Sequence, residues 1–496
     1  MGPSIQRARA DVECATRELI TTAEKHDGKF DEFERELWRG LLALGRAVVV
    51  LFLVRRACAP RPARYQHEGS FYVLSELHTS ELGTRVGKVR FTRQVGRQPG
   101  FFRRGRADLP LDRELGLVGG FSLGAVILVT RLCAQMAFAS ARTTFAAFSE
   151  WAPSTRATLR MVDAVGEHAR AFLEQAPAPE NDGEILVVQV DGGGAPMISA
   201  AEHRRRCVPR KKKRRSGTKR ASRKRRRLVR PRKRRTKGKK SKNAKVAFVG
   251  VIYTLRRTPD GLEGPVNKRL YATFKSHRAL FEWLRKEADK RGYGTKRCVF
   301  LADGSEHIWR CQKEFFPDAE VCLDWYHVIE KVWSAGACIH REGSAELREW
   351  VDEQKRLLRR GAVDRVIATL AAARAARSKT GPGNHGKRKR LLDIHNHFVE
   401  HRERMLYHRL RRDDLDIGSG AVEGAVRNLV RMRLDGPGMR WGRDRAEYVL
   451  HLRCILLNGQ WDAFADYLAN RVIKIAAKPK AARTHDATPQ DVAAAA

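Results

Sequence analysis

The stretch EILVVQVD is a short unbroken apolar run that stops at Asp191, which predicts a buried strand followed by the breaker DGGG. VAFVGVIYTL, rich in β-branched residues, predicts a second strand and KRLYATF a third. Between them TPDGLEGP predicts a turn, because Asp-Gly favours hairpin geometry. HRALFEWLRKEADKRG has helical spacing, with Lys290 and Arg291 in its last turn to suit the helix dipole. RCVFLADG predicts a fourth strand ending at Asp303, SEHIWRCQKEFF a helix capped by Ser305, and AEVCLDWYHV a fifth strand. The predicted order is β-β-β-α-β-α-β, a mixed α/β sheet whose later strands are parallel.

Both flanks have helical periodicity. DEFERELWRGLLALGRAVVVLFLVRRA, FSLGAVILVTRLCAQMAFASARTTFAAF and APSTRATLRMVDAVGEHARAFLEQ predict helices, the last capped by Ser154 or Thr155. The helices meeting around AFSEWAPSTRATLRMV fit a helix-turn-helix or, more simply, a plain helical pair. In the polar stretch between them, KVRFTRQV alternates like a strand. ALGRAVVVLFLV covers about half a bilayer span and contains Arg46, and GFSLGAVILVTRLCAQMAFA is broken by Arg131, so both predict buried helices. The layout is a mainly helical region over 1–174, a Pro-containing linker over 175–183, and the sheet over 184–328. A helical segment follows over 329–416, then further helices over 417–475 that begin with AVEGAVRNLVRMRL. The tail over 476–496 lacks large apolar residues and predicts disorder.

Charge changes this picture. The net charge is +42, and 26 Lys or Arg fall between Arg204 and Lys245 without one acid. The remainder still carries +16, so the whole chain points to a polyanionic partner, above all nucleic acid. An early secretory signal and a lipidation signal are both missing from the start MGPSIQ, so a cytoplasmic protein without a membrane partner is expected. The nine Cys form no CxxC pair and suit free thiols in a reducing compartment. Cys322 with His327, or Cys338 with His340, is half a zinc site without a matching half.

Two acids stand out by position. Asp191 and Asp303 each end a strand, and they meet if those strands are neighbours. Carboxylates held close repel unless a cation neutralises them, and hard oxygen ligands select Mg²⁺ or Mn²⁺. The plain alternative is two solvated Asp-Gly turns. For a third acid, Glu423 lies in the first turn of a helix whose Val422, Val426, Leu429 and Val430 share one face, while Glu423, Arg427 and Arg431 are spaced by four. A capping box or a pair with Arg427 also accounts for Glu423. Asp324, expected in the fifth strand, is the rival third acid, an unpaired charge in an apolar run unless something holds it.

Six ordered blocks now carry a resemblance: VVQVDGGGAPM, VIYTLRRTPDGLEGPVNKRLYATF, FLADGSEHIWRCQKEFFPDAEVCLDWYHVIEKVW, KTGPGNHGKRKR, DIGSGAVEGAVRNLVRMRL and GMRWGRDRAEYVLHLR, over about 185–465. Together they resemble a bacterial insertion-sequence DDE transposase of the ISKra-type group, related to the Mutator-like transposases. The resemblance implies an α/β fold: an RNase H-like catalytic domain with an all-helical insertion, preceded by a mainly helical N-terminal region. It assigns Asp191, Asp303 and Glu423 as catalytic metal ligands for two Mg²⁺ (or Mn²⁺) ions, with Asp324 and His327 near the site. Gly193 departs from a basic or polar residue in many relatives. Trp441 matches a position that stacks on a base or packs.

The implied activity is metal-dependent DNA cleavage and strand transfer at element ends, by a homodimer on double-stranded DNA in the bacterial cytoplasm. Expected DNA contacts are Arg204, Arg205, Lys211, Lys212, Lys213, Arg225, Arg226, Arg234 and Arg235 in the basic run, with Arg427, Arg431, Arg440 and Trp441 beyond it. The run (203–245) is expected to be a disordered insert between strands one and two, acting as an electrostatic clamp without a sequence code. The alternatives are a non-enzymatic basic nucleic-acid-binding protein and a structure-specific nuclease on the same fold.

Overall fold

The computed structural model describes residues 3–100, 107–199, 201–202 and 244–471. The described residues divide into two compact units, those within 3–133, 137–165 and 465–471, and those within 134–136 and 166–464.

The first unit holds α1 (Pro3–Lys25) and α2 (Phe30–Ala57), then a three-stranded antiparallel sheet of β1 (Arg64–His67), β2 (Ser70–Thr84) and β3 (Gly87–Arg97). It continues with α3 (Pro110–Glu114), α4 (Leu123–Gln135), α5 (Phe138–Ser149) and the start of α6 (Thr155–Gln175). Of this sheet the sequence predicts only KVRFTRQV, which lies in β3 with Val89, Phe91 and Val95 turned inward. Arg93 shares that inner face and is 5 % exposed. It is held there by an ion pair with Asp112. Leu53 of α2 packs with Leu82, Val89, Phe91 and Leu111.

The burial expected for the apolar helices holds for α4, where Ala125, Val126, Val129 and Cys133 are fully buried. It fails for α2. This helix is long and apolar enough to cross a membrane, and only 11 % of its apolar stretch is buried. The apolar run lies inside the helix predicted for DEFERELWRGLLALGRAVVVLFLVRRA, which the structure starts at Phe30. Ser154 accepts from Ala157 N at 3.2 Å and caps α6.

In the second unit β4 (Ile185–Pro196), β5 (Ala244–Thr258) and β6 (Gly261–Thr273) are followed by α7 (His277–Lys290), β7 (Arg297–Ala302), α8 (Glu306–Phe315) and β8 (Glu320–Leu323). This is a mixed α/β unit in the predicted element order. The sheet order is β6-β5-β4-β7-β8, with β4–β5 and β5–β6 antiparallel and β4–β7 and β7–β8 parallel. Helices α9 (Trp325–Ile339), α10 (Ala345–Arg359), α11 (Val363–Ala376), α12 (Asn384–Glu400) and α13 (Tyr407–Arg412) come next. Then α14 (Gly420–Val426) runs through a π-helical turn (Arg427–Arg431) into α15 (Met432–Leu434), and α16 (Arg443–Leu457) and α17 (Trp461–Ala469) follow.

Two predicted strand limits move. Asp191 does not end its strand: β4 pairs with β5 as far as Pro196↔Ala244, because Gly192, Gly193 and Gly194 take extended backbone there. The fifth strand ends at Leu323, because Asp324 caps α9 by accepting from His327 N at 2.9 Å. The expected linker is also anchored. Arg291, fully buried, donates Nε and Nη2 to Asp182, each at 2.8 Å.

Candidate functional site

In the parallel pair β4–β7, Val190 is the register partner of Ala302. Asp191 and Asp303 each follow one of those partners, so they stand side by side, Asp191 within β4 and Asp303 just past the end of β7. Asp303 Oδ1 accepts from Ser305 N at 3.0 Å, which fixes the turn into α8; Ser305 stands at the N-cap without a side-chain bond of its own. The Gly304 between them leaves room for His397 of α12: a Cβ there would stand 2.2 Å from the His397 ring.

Glu423 reaches the same place because its helix lies close on β4. A Cβ on Gly193 would stand 3.0–3.1 Å from Val426 and Val430, so a larger residue pushes the helix away. This gives Gly193, the departure noted in the sequence, a packing role. Gln189 Oε1 accepts from Val422 N at 3.0 Å, and its Nε2 donates to Tyr253 Oη at 3.1 Å. Glu423 itself accepts from Ser419 Oγ at 3.0 Å.

Asp324 is fully buried and braces this corner. Its Oδ1 accepts from Ser419 N at 2.7 Å, and its Oδ2 accepts from His327 N at 2.9 Å and His327 Nδ1 at 2.7 Å. Burial pushes its carboxyl up, but the bonds from His327 and Ser419 outweigh burial and hold it below the usual range. The hydrogen bond to Asp324 in turn raises His327 to about 9, against burial and with help from Asp303 and Asp191.

Asp191 is pushed up by burial first. The Gly192 N–H and His327 oppose the rise, and Asp303 and Glu423 add to it. The sequence-predicted acids therefore act on one another through Asp191. Among the described residues, the tight group able to hold a metal ion is nevertheless Asp324, His327 and Glu423, whose ligand atoms lie within 4.8 Å of one another. Asp324 and His327, expected beside the site, thus stand inside it. The oxygens of Asp324 are already used by hydrogen bonds, so within this group Glu423 is the carboxylate better placed to bind a cation.

The remaining predicted contacts separate. Arg427, Arg431 and Arg440 are exposed. The spacing of four that aligns Glu423 with Arg427 does not extend regularly to Arg431, because the turn from Arg427 to Arg431 is π-helical. Trp441 does not offer a stacking face: it is 5 % exposed, its Nε1 donates to Leu434 O at 2.8 Å, and Arg433 lies over its ring. Arg204, Arg205, Lys211, Lys212, Lys213, Arg225, Arg226, Arg234 and Arg235 lie outside the described residues, as does the tail beyond Arg471. The eight described cysteines are free.

Gln189, Ser419 and His397 escape the sequence reading. Gln189 left a signal, a polar residue inside VVQVD, while Ser419 and His397 sit in stretches with many polar neighbours.

Compared with known proteins, the chain matches no family model and no curated protein sequence.

Proposed function

We propose that this chain is a DDE-type DNA transposase that cuts and joins DNA strands with divalent metal ions. The observation that carries the reading is the side-by-side placement of Asp191 and Asp303 on neighbouring parallel strands, with the Glu423 helix seated on the strand of Asp191 through Gly193. The sheet order, three antiparallel strands followed by two parallel ones, supports an RNase H-like catalytic domain. The all-oxygen set of Asp191, Asp303 and Glu423 suits Mg²⁺ or Mn²⁺, and the carboxyl of Asp191 is raised by burial first, with Asp303 and Glu423 adding to the rise. Bound ions at such a site lower the pKa of an attacking water and stabilise the leaving oxygen.

The chain's own groups supply the rest. Asp324 holds His327 through Nδ1 and keeps it protonated near neutral pH, so Nε2 is a charged donor suited to a phosphate oxygen. Ser419 orients Glu423, and Gln189 fixes its helix. Water attacks in the cutting step and a freed 3′-hydroxyl in the joining step, so no protein nucleophile is required. The chain's +42 charge favours double-stranded DNA as the partner, and handling two ends together calls for a homodimer in the bacterial cytoplasm.

The test is a cleavage and strand-transfer assay of the full chain, with Mg²⁺ or Mn²⁺, on the DNA flanking its own gene. Cuts at the borders of terminal inverted repeats, lost in Asp191→Asn, Asp303→Asn and Glu423→Gln, are expected. Metal-dependent cutting that ignores such ends makes the chain a nuclease. DNA binding with no cutting under either metal returns the basic-binder reading.

A further inference from the structure

The sheet face that carries Asp191 borders a cavity of 390 Å³, lined among others by Gln189, Tyr253, Lys268, Tyr326, Asp416 and Ala421. Ala421 lies in the helix of Glu423, and Gln189 in the strand of Asp191, so the cavity adjoins the catalytic cluster. Its volume falls within the roughly 300–1,000 Å³ typical of small-ligand sites.

Four features give the cavity a chemical bias. Tyr326 is 58 % exposed and lies over Gly418, where a Cβ would stand 2.6 Å from its ring. An exposed ring backed by bare backbone is a platform for a stacked base. Tyr253 Oη already accepts from Gln189, so its proton remains to be donated to a ligand. Lys268 is an exposed cation. Asp416 is an exposed carboxylate near enough to act on Tyr253 electrostatically.

An acid here is the informative group. Phosphates repel it, so it serves no backbone contact in a chain of this charge. It matches a base edge that presents N–H donors. Guanine presents two side by side, N1–H and the 2-amino group, which suit a carboxylate bidentately. Cytosine and adenine present only an amino group, and thymine only N3–H. Guanine O6 then accepts from Lys268 or Tyr253.

We propose that this cavity receives an unstacked guanine of the DNA held at the catalytic cluster, its ring against Tyr326 and its Watson–Crick edge on Asp416. The proposal rests on the nucleic-acid reading above but not on cleavage. The full chain is titrated, in Ca²⁺, with labelled hairpin duplexes built on the DNA that flanks its own gene, terminal repeats included, which carry one unpaired G, inosine, A, C or T, or none. Binding is read by fluorescence anisotropy, and cleavage of the same DNAs is read in Mn²⁺. The unpaired G should bind about ten-fold tighter than the unpaired T, with inosine between them because it lacks the amino group. Asp416→Asn should abolish that preference. Tyr326→Ala should weaken every bulged duplex by about ten-fold and spare the fully paired one. Equal binding of all the bulges, a guanine preference that survives Asp416→Asn, or no DNA binding at all overturns the proposal. Guanine-selective binding without cleavage keeps the pocket and removes the catalytic reading; cleavage without selectivity does the reverse.

Discussion

Gln189 accepts from Val422 N at 3.0 Å, and this bond joins the strand of Asp191 to the helix of Glu423. Gln189→Leu has nearly the same volume but strands a buried N–H. Stability should fall by about 1–3 kcal/mol in urea titration. Cleavage should fall further than the folded fraction does, since Glu423 loses its anchor. Unchanged cleavage per folded molecule would show that the bond is not what places Glu423.

The three acids make a sharper prediction. Asp191→Asn, Asp303→Asn and Glu423→Gln should each lower metal-dependent cleavage by about 100-fold or more, with DNA affinity in Ca²⁺ retained. Calorimetric titration with Mn²⁺ should show weakened metal binding in all three. Wild-type metal affinity in any one of them takes that residue out of the ligand set.

Gly304→Ala tests the contact made by α12. The added methyl would stand 2.2 Å from the His397 ring, so that ring, the Asp303 turn or α12 must shift. Stability should drop by about 1–3 kcal/mol, as for overpacked sites, with cleavage reduced. His397→Ala in the Gly304→Ala background should recover part of the loss. A double variant no better than the single one argues against this contact as the cause.

Two histidines give pH effects of opposite sign in the metal-free protein. His327 is raised to about 9 by its bond to Asp324. Its stabilisation is full below the ordinary value of about 6.5 and is lost as pH rises through about 9. His451, 1 % exposed, is lowered to about 4 by burial. Its share is full above about 6.5 and is lost as pH falls through about 4. NMR titration should place His327 near 9 and return it toward 6.5 in Asp324→Asn. A wild-type His327 titrating near 6.5 refutes the dyad.

The pair of Asp182 and Arg291 predicts a stability effect away from the site. Asp182→Asn leaves a guanidinium that is 0 % exposed without its counter-charge. The cost should be about 3–5 kcal/mol by chemical denaturation. Replacing both by apolar residues should cost less than the single change, and equal losses would contradict the desolvation argument.

The main sheet is legible in the sequence because buried strands leave dense apolar runs, as in EILVVQV and RCVFLA. The positions of Asp191 and Asp303 follow from that order. The hairpin of β2 and β3 is mostly hidden because one side faces water, and HTSELGT shows no clean alternation. Asp324 misleads for the opposite reason: VCLDWYHV is apolar and aromatic enough to extend a strand, while the helix cap that ends it depends on two hydrogen bonds local to Asp324. Trp441 shows that a large aromatic beside exposed arginines gives no indication of which way its ring turns. The bracing by Gln189 and Ser419 joins residues far apart in the chain, and no local pattern records such a pairing.

The convergence of Asp191, Asp303, His327 and Glu423 also has a consequence during synthesis. The two strands leave the ribosome well before the helix that brings Glu423, and the helices α9 to α13 must be made in between. On the transposase reading proposed above, a growing or truncated chain that stops short of Gly418 already carries the basic run that would draw it to DNA, yet lacks the last acid of the site. On that reading attachment to DNA would precede any ability to break it, and translation itself would be the delay between the two.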